Sequence, residues 1–144
     1  MKPKEFHSKL DDQRIVEAIA KAEAGTTGEI RVFISPHAVE DVVAAAQLEF
    51  ERLGMKATKD RNGALLYFAP VSQRFAIVGD QGIHELCGDD FWEKIKDGMQ
   101  PLLRQGNFTQ AVFVGVGLLG EALAQHFPSD GGGENELSNQ IVRD

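Results

Sequence analysis

Cysteine, tryptophan and tyrosine occur once each in this 144-residue chain. A single thiol, Cys87, excludes an internal disulfide and any zinc centre built on several cysteines. Its neighbours Leu86 and Gly88 bring no positive charge to stabilise a thiolate, so Cys87 reads as a small apolar side chain and not a nucleophile. Positive charge is also scarce: 15 Lys and Arg stand against 22 Asp and Glu, a formal net charge of −7. That balance argues against nucleic acid as a partner, because phosphates attract basic surfaces. It permits a divalent cation or a cationic protein partner, although net charge speaks mainly to solubility. The first residues, Met1 to His7, lack the apolar core of a signal peptide. The longest apolar stretch, Ala111 to Leu119, is far shorter than the roughly 20 residues that span a bilayer. The expectation is a soluble cytoplasmic chain without a membrane segment. There is no Gly-x-x-x-x-Gly-Lys-Ser/Thr loop for a nucleotide and no nucleophile elbow.

The remaining composition is that of an ordinary globular domain, with 42% apolar and 26% charged residues, and the length suits one domain with a real core. Residues 1–7 are polar. Ser8 with Asp11 resembles a helix start, and Leu10, Ile15, Ile19 and Ala22 recur at helical spacing until Gly25. Ile30, Val32 and Ile34 alternate with Arg31, Phe33 and Ser35 and stop at Pro36, which is a strand. Phe33 on the nominally polar side suggests that both faces are covered. Residues 39–53 return to helical spacing, with Gly54 as terminator.

The most informative stretch follows, from Asp60 to Asp90. Two apolar runs, Ala64–Ala69 and Phe75–Val78, lie between turns rich in Gly, Asp and Asn, and each has the length of a strand. Antiparallel pairing brings the start of the first and the end of the second together, so Asp60, Asn62 and Asp80 meet at one end of a sheet. A helical turn is expected at Ile83–Cys87, then a helix capped by Asp89 or Asp90 that carries Phe91, Ile95 and Met99. Pro101 is expected to kink that helix or begin a new turn. Residues 109–126 read as one last helix. Gly115 and Gly117 within it cost roughly 1 kcal/mol each against Ala, which close approach to the sheet would offset. Residues 128–144, with Gly131, Gly132 and Gly133 in a row, read as a disordered polar tail. Leu137, Ile141 and Val142 are its only anchors for a partner. The first two strands flank a helix and so lie parallel in a right-handed crossover, and the third pairs antiparallel. The result is an α/β chain with a small mixed sheet between helical layers.

Several motifs in this order resemble the TPM-domain family. They are Thr27-Gly28-Glu29-Ile30-Arg31-Val32, Asp60-x-Asn62-Gly63-Ala64-Leu65-Leu66, Gly79-Asp80-x-Gly82-Ile83, and Gly106-x-Phe108 before an apolar helix. The resemblance covers residues 8–127. It implies a Rossmann-like α/β/α sandwich and divalent-cation binding, usually of calcium, at an acidic surface beside the sheet. Some plant members of the family are described as acid phosphatases. This chain differs from the commonest pattern. Where many members carry Gly-Tyr-Gly-Leu-Glu after the hairpin, it has Gly79-Asp80-Gln81-Gly82-Ile83-His84-Glu85, and it looks like a short, soluble bacterial-type branch.

Calcium and magnesium prefer carboxylate, amide and carbonyl oxygens. Asp60, Asn62, Asp80, Asp89 and Asp90 offer such oxygens from three loops and are the candidate metal ligands. Glu29 is a weaker candidate, because it is taken to start its strand at the opposite end of the sheet. Each of these residues also has a plain structural use, since Asp60 and Asn62 shape turns and Asp89 or Asp90 caps a helix. Arg61 and Arg74 read as solvated surface residues, and His84 as an inert surface histidine. Tyr67, Phe91 and Trp92 read as core or core-edge residues. The leading expectation is a calcium-binding domain (magnesium being the other suitable ion) with an accessory or binding role. The alternatives are a metal-assisted phosphatase acting on phosphomonoesters and a metal-independent protein-interaction module.

Overall fold

Among the described residues, five α-helices and three strands follow one another in this order: α1 Asp12–Ala24, β1 Glu29–Ile34, α2 Val42–Arg52, β2 Gly63–Ala69, β3 Arg74–Gly79, α3 Gln81–Cys87, α4 Asp90–Arg104 and α5 Phe108–His126. The computed structural model describes residues 10–129 and 140–143. The strands form one sheet in the order β1-β2-β3. β1 runs parallel to β2, with Glu29 opposite Gly63 and Ile34 opposite Phe68. β2 runs antiparallel to β3, with Ala64 opposite Gly79.

Alternation along the strands sends side chains to two separate cores. Ile30, Val32 and Ile34 of β1 join Ala64, Leu66 and Phe68 of β2 against α1, α3, α4 and α5. Phe33, Leu65, Tyr67 and Ala76 face the other way, against Ala46 and Phe50 of α2 and against Met55. The Phe33 and Tyr67 rings stack there, 5.2 Å between centroids. β2 is buried along its whole length, as the central strand of an α/β/α sandwich must be.

Local chemistry explains most of the boundaries. The Asp11 and Asp41 carboxylates cap α1 and α2 by accepting from Arg14 N and Ala44 N. Asp11, rather than Ser8, is therefore the start signal of the first helix, and Ser8 lies outside the described residues. Pro101 sits inside α4 and the helix continues through it to Arg104. The expected helix over 109–126 is α5, from Phe108 to His126. A Cβ on Gly115 would lie 2.7 Å from Met99 Sδ and 3.4 Å from Leu66 Cδ1, so close packing on α4 and the sheet explains this glycine. Gly117 faces open space, and packing does not account for it. By length and composition α5 is apolar enough to cross a membrane, with a mean hydropathy of 1.3, but 44% of that stretch is buried inside the domain.

The end of the chain is also placed. Ile34 N donates to Val142 O at 2.7 Å, and Val142 N donates to Val32 O at 2.9 Å. This is a parallel bridge on the outer edge of β1. The Arg143 guanidinium grips the Asp12 carboxylate with two bonds of 2.6 and 2.7 Å. Of the expected polar tail over residues 128–144, residues 128, 129 and 140–143 are among the described residues, while residues 130–139 and 144, like residues 1–7, lie outside them.

Candidate functional site

Because β1 and β2 are parallel, both enter the sheet at the same rim, and β3 leaves there. The turn 26–28, the loop 58–62 and the start of α3 meet at this rim. Glu29 therefore stands at the same end as Asp60 and not at the opposite one, which the crossover connection alone dictates. The signal was present in the sequence: two strands joined through one helix run in the same direction.

The first half of the rim is a polar chain from Asp60 to Asn62. Thr27 Oγ1 donates to Asp60 Oδ2 at 3.0 Å and accepts from Asn62 Nδ2 at 3.0 Å. Asn62 N donates to Thr58 Oγ1. Thr26 anchors the turn to the end of α5, its one hydroxyl proton shared between the Leu123 and Phe127 carbonyls. Asn62 is fully buried, and its Oδ1 has no hydrogen-bond partner among the described residues. A buried acceptor without a donor costs about 1–3 kcal/mol. Asp60 is exposed.

The second half is an ion pair. Arg61 takes a left-handed backbone conformation, φ 52°, and its guanidinium meets Asp80 through two bonds of 2.8 Å. The Asp80 carboxylate also accepts from Gln81 N at 2.7 Å, which caps α3. Asp80 is 4% exposed. Its hydrogen bonds, and then its charge, hold the Arg61 guanidinium above the ordinary arginine value. Gly82 lets the two halves touch: its N–H donates to Arg61 O at 2.9 Å, and a Cβ here would lie 2.5 Å from Asp60 O.

Behind the rim, Glu23 of α1 accepts from Ile30 N at 2.7 Å. Burial, together with a hydrogen bond and repulsion from Glu29, pushes the Glu23 carboxyl up to about 8. The half-buried Glu23 and the buried Glu29 cannot both ionise easily in contact, so one proton stays with the pair at neutral pH.

The candidate ligands thus fall into two groups. Asp60, Asn62 and Asp80 share the rim. Asp89 precedes α4 and makes no side-chain cap bond, and Asp90 is the first residue of that helix. Among the described residues neither is hydrogen-bonded to Asp60, Asn62 or Asp80. No three His, Cys, Asp or Glu side chains among the described residues gather closely enough to hold a metal ion. Their neighbour Trp92 does reach the sheet, since a Cβ on Gly79 would collide with its ring. The Trp92 indole N–H donates to His84 Nδ1 at 3.3 Å, so the histidine has a partner. Cys87 packs against the main core, and burial pushes its thiol up. The roles of Arg61, Thr27 and Glu23 were not legible in the sequence. Each depends on a contact between distant segments and follows no periodic pattern.

Comparison with known proteins agrees with this architecture. The model of the TPM domain matches residues 4–122. The chain belongs to the TPM-domain family. The BA42 protein of the psychrophilic bacterium Bizionia argentinensis is 38% identical, with 94% of this chain and 95% of that one covered at a TM-score of 0.87. The N-terminal domain of a protein from P. gingivalis shares the fold at 19% identity and a TM-score of 0.66, covering 78% of this chain and 75% of that one. The N-terminal domain of the cg2496 protein from Corynebacterium glutamicum does so at 18% and 0.58, covering 85% and 76%. No curated protein matches the sequence.

Proposed function

We propose that this TPM domain binds a divalent cation, calcium in preference to magnesium, at the Asp60–Asn62 half of the rim, and that it serves an accessory role by presenting the ordered loops to a partner. The observation that carries this reading is Asn62 Oδ1: a fully buried amide oxygen without a donor among the described residues, in a side chain linked through Thr27 to the exposed carboxylate of Asp60. Amide and carboxylate oxygens are the donors that calcium prefers. Bound there, the cation supplies positive charge to both groups. Asp60 and Asn62 would hold it, with water completing the shell. Asp80 already accepts from Arg61 and Gln81 and is a reserve ligand, recruited only if Arg61 turns away.

Calcium titration followed by amide chemical shifts tests the reading. The expected response is a saturable shift of Thr27, Asp60, Asn62 and Gly63, smaller with magnesium and absent in Asp60→Asn. Unchanged shifts and an unchanged melting temperature at millimolar calcium would sink it.

A further inference from the structure

The outer edge of β1 is a strand edge, and such an edge presents unpaired backbone groups to any extended chain. Here the groups are partly met from within. Glu23 covers Ile30 N, and Val142 takes the next positions through its bonds with Val32 O and Ile34 N. The side chains of the bound segment alternate as a strand requires: Ile141 packs against the main core and Val142 against the second one. Arg143 then meets Asp12 at the start of α1. Backbone bonds, two alternating apolar contacts and one carboxylate for a cation make a complete recognition pattern for an extended peptide.

From this we propose that the β1 edge is a docking site for an extended protein segment with two consecutive aliphatic residues followed by Arg or Lys, bound parallel to β1, and that the chain's own residues 140–143 occupy it as a competitor. The chemistry of the partner is read from the segment already seated there. The apolar positions select β-branched aliphatics, and Asp12 in an acidic chain selects the cation. The seated segment belongs to the same chain and so competes with any outside peptide, and a partner must outcompete it or bind more extensively along the edge.

The test uses the full-length chain and a labelled peptide of the sequence of residues 138–144. Val142→Pro in the chain removes the N–H that donates to Val32 O and releases the tail. The natural chain should bind the peptide weakly and the Val142→Pro chain at least about tenfold more tightly, with amide shifts at Val32 and Ile34. Adding Asp12→Lys to that variant should remove most of the gain, and a peptide with proline at the position of Val142 should not bind. The proposal is overturned if a folded Val142→Pro chain binds no better than the natural one at millimolar peptide. A peptide of scrambled order binding equally well also overturns it. Should Val142→Pro fail to fold, Arg143→Glu in the chain decides: it weakens the tail alone, and binding of the natural peptide must rise. No rise overturns the proposal.

Discussion

Asp60 and Asp80 bracket the same hairpin strand pair, yet their carboxylates meet opposite circumstances. Asp80 is buried, caps a helix and is neutralised by the two-bonded guanidinium of Arg61. Asp60 is exposed and accepts from a neutral hydroxyl, that of Thr27. A buried charge without a partner is costly, so the deeper acid needs its arginine. The shallower one stays solvated and can serve a ligand. Similar acids at one rim thus divide into a structural half and a half open to chemistry.

Four changes would break or sharpen that contrast. Gly82→Ala drives a Cβ to 2.5 Å from Asp60 O and forces α3 away from the 58–62 loop. It should cost about 3 kcal/mol as local overpacking, roughly 10 °C in Tm, and disturb both halves together. Asp80→Ala removes the α3 cap and leaves Arg61 without its acid. A loss of about 2 kcal/mol by denaturant unfolding is expected, with the calcium-induced shifts at Asp60 retained. If those shifts vanish, the two halves are not separate.

The third change concerns pH. The folded Glu23 carboxyl titrates near 8 and its ordinary value is 4.5. The folded chain therefore holds a proton that the unfolded chain releases between these limits. Stability from this group is complete below pH 4.5 and is lost as pH rises through 8. Tm should drift downward across that window in the natural chain, and Glu23→Gln should flatten the drift. The smallest effect is that of Asp60→Asn on stability, within about 0.5 kcal/mol for an exposed side chain, measured by urea unfolding without calcium. A larger loss would move Asp60 into the structural half.

Much of the fold was legible because its signals repeat locally. The alternation of Ile30, Val32 and Ile34, the apolar runs of the hairpin and the spacing of Ile95 and Met99 each declare an element within a few residues. The convergence of Asp60, Asn62 and Asp80 followed from pairing rules. The electrostatic division did not, because Arg61 reaches Asp80 only through a left-handed backbone position that no pattern announces. The place of Glu29 has a different cause: parallel strands start at the same rim, so the residue that opens β1 lies beside the start of β2.

The order of helices and strands, the mixed sheet and the gathering of acids at one rim were settled by the amino-acid sequence, since hydrophobic periodicity and turn chemistry act over short spans. Only the tertiary structure decided which acid receives the arginine, which amide oxygen is buried without a donor among the described residues, and that Ile141, Val142 and Arg143 lie along β1. Those outcomes depend on side chains far apart in the chain competing for the same burial and the same few partners, and such competition has no local period to read.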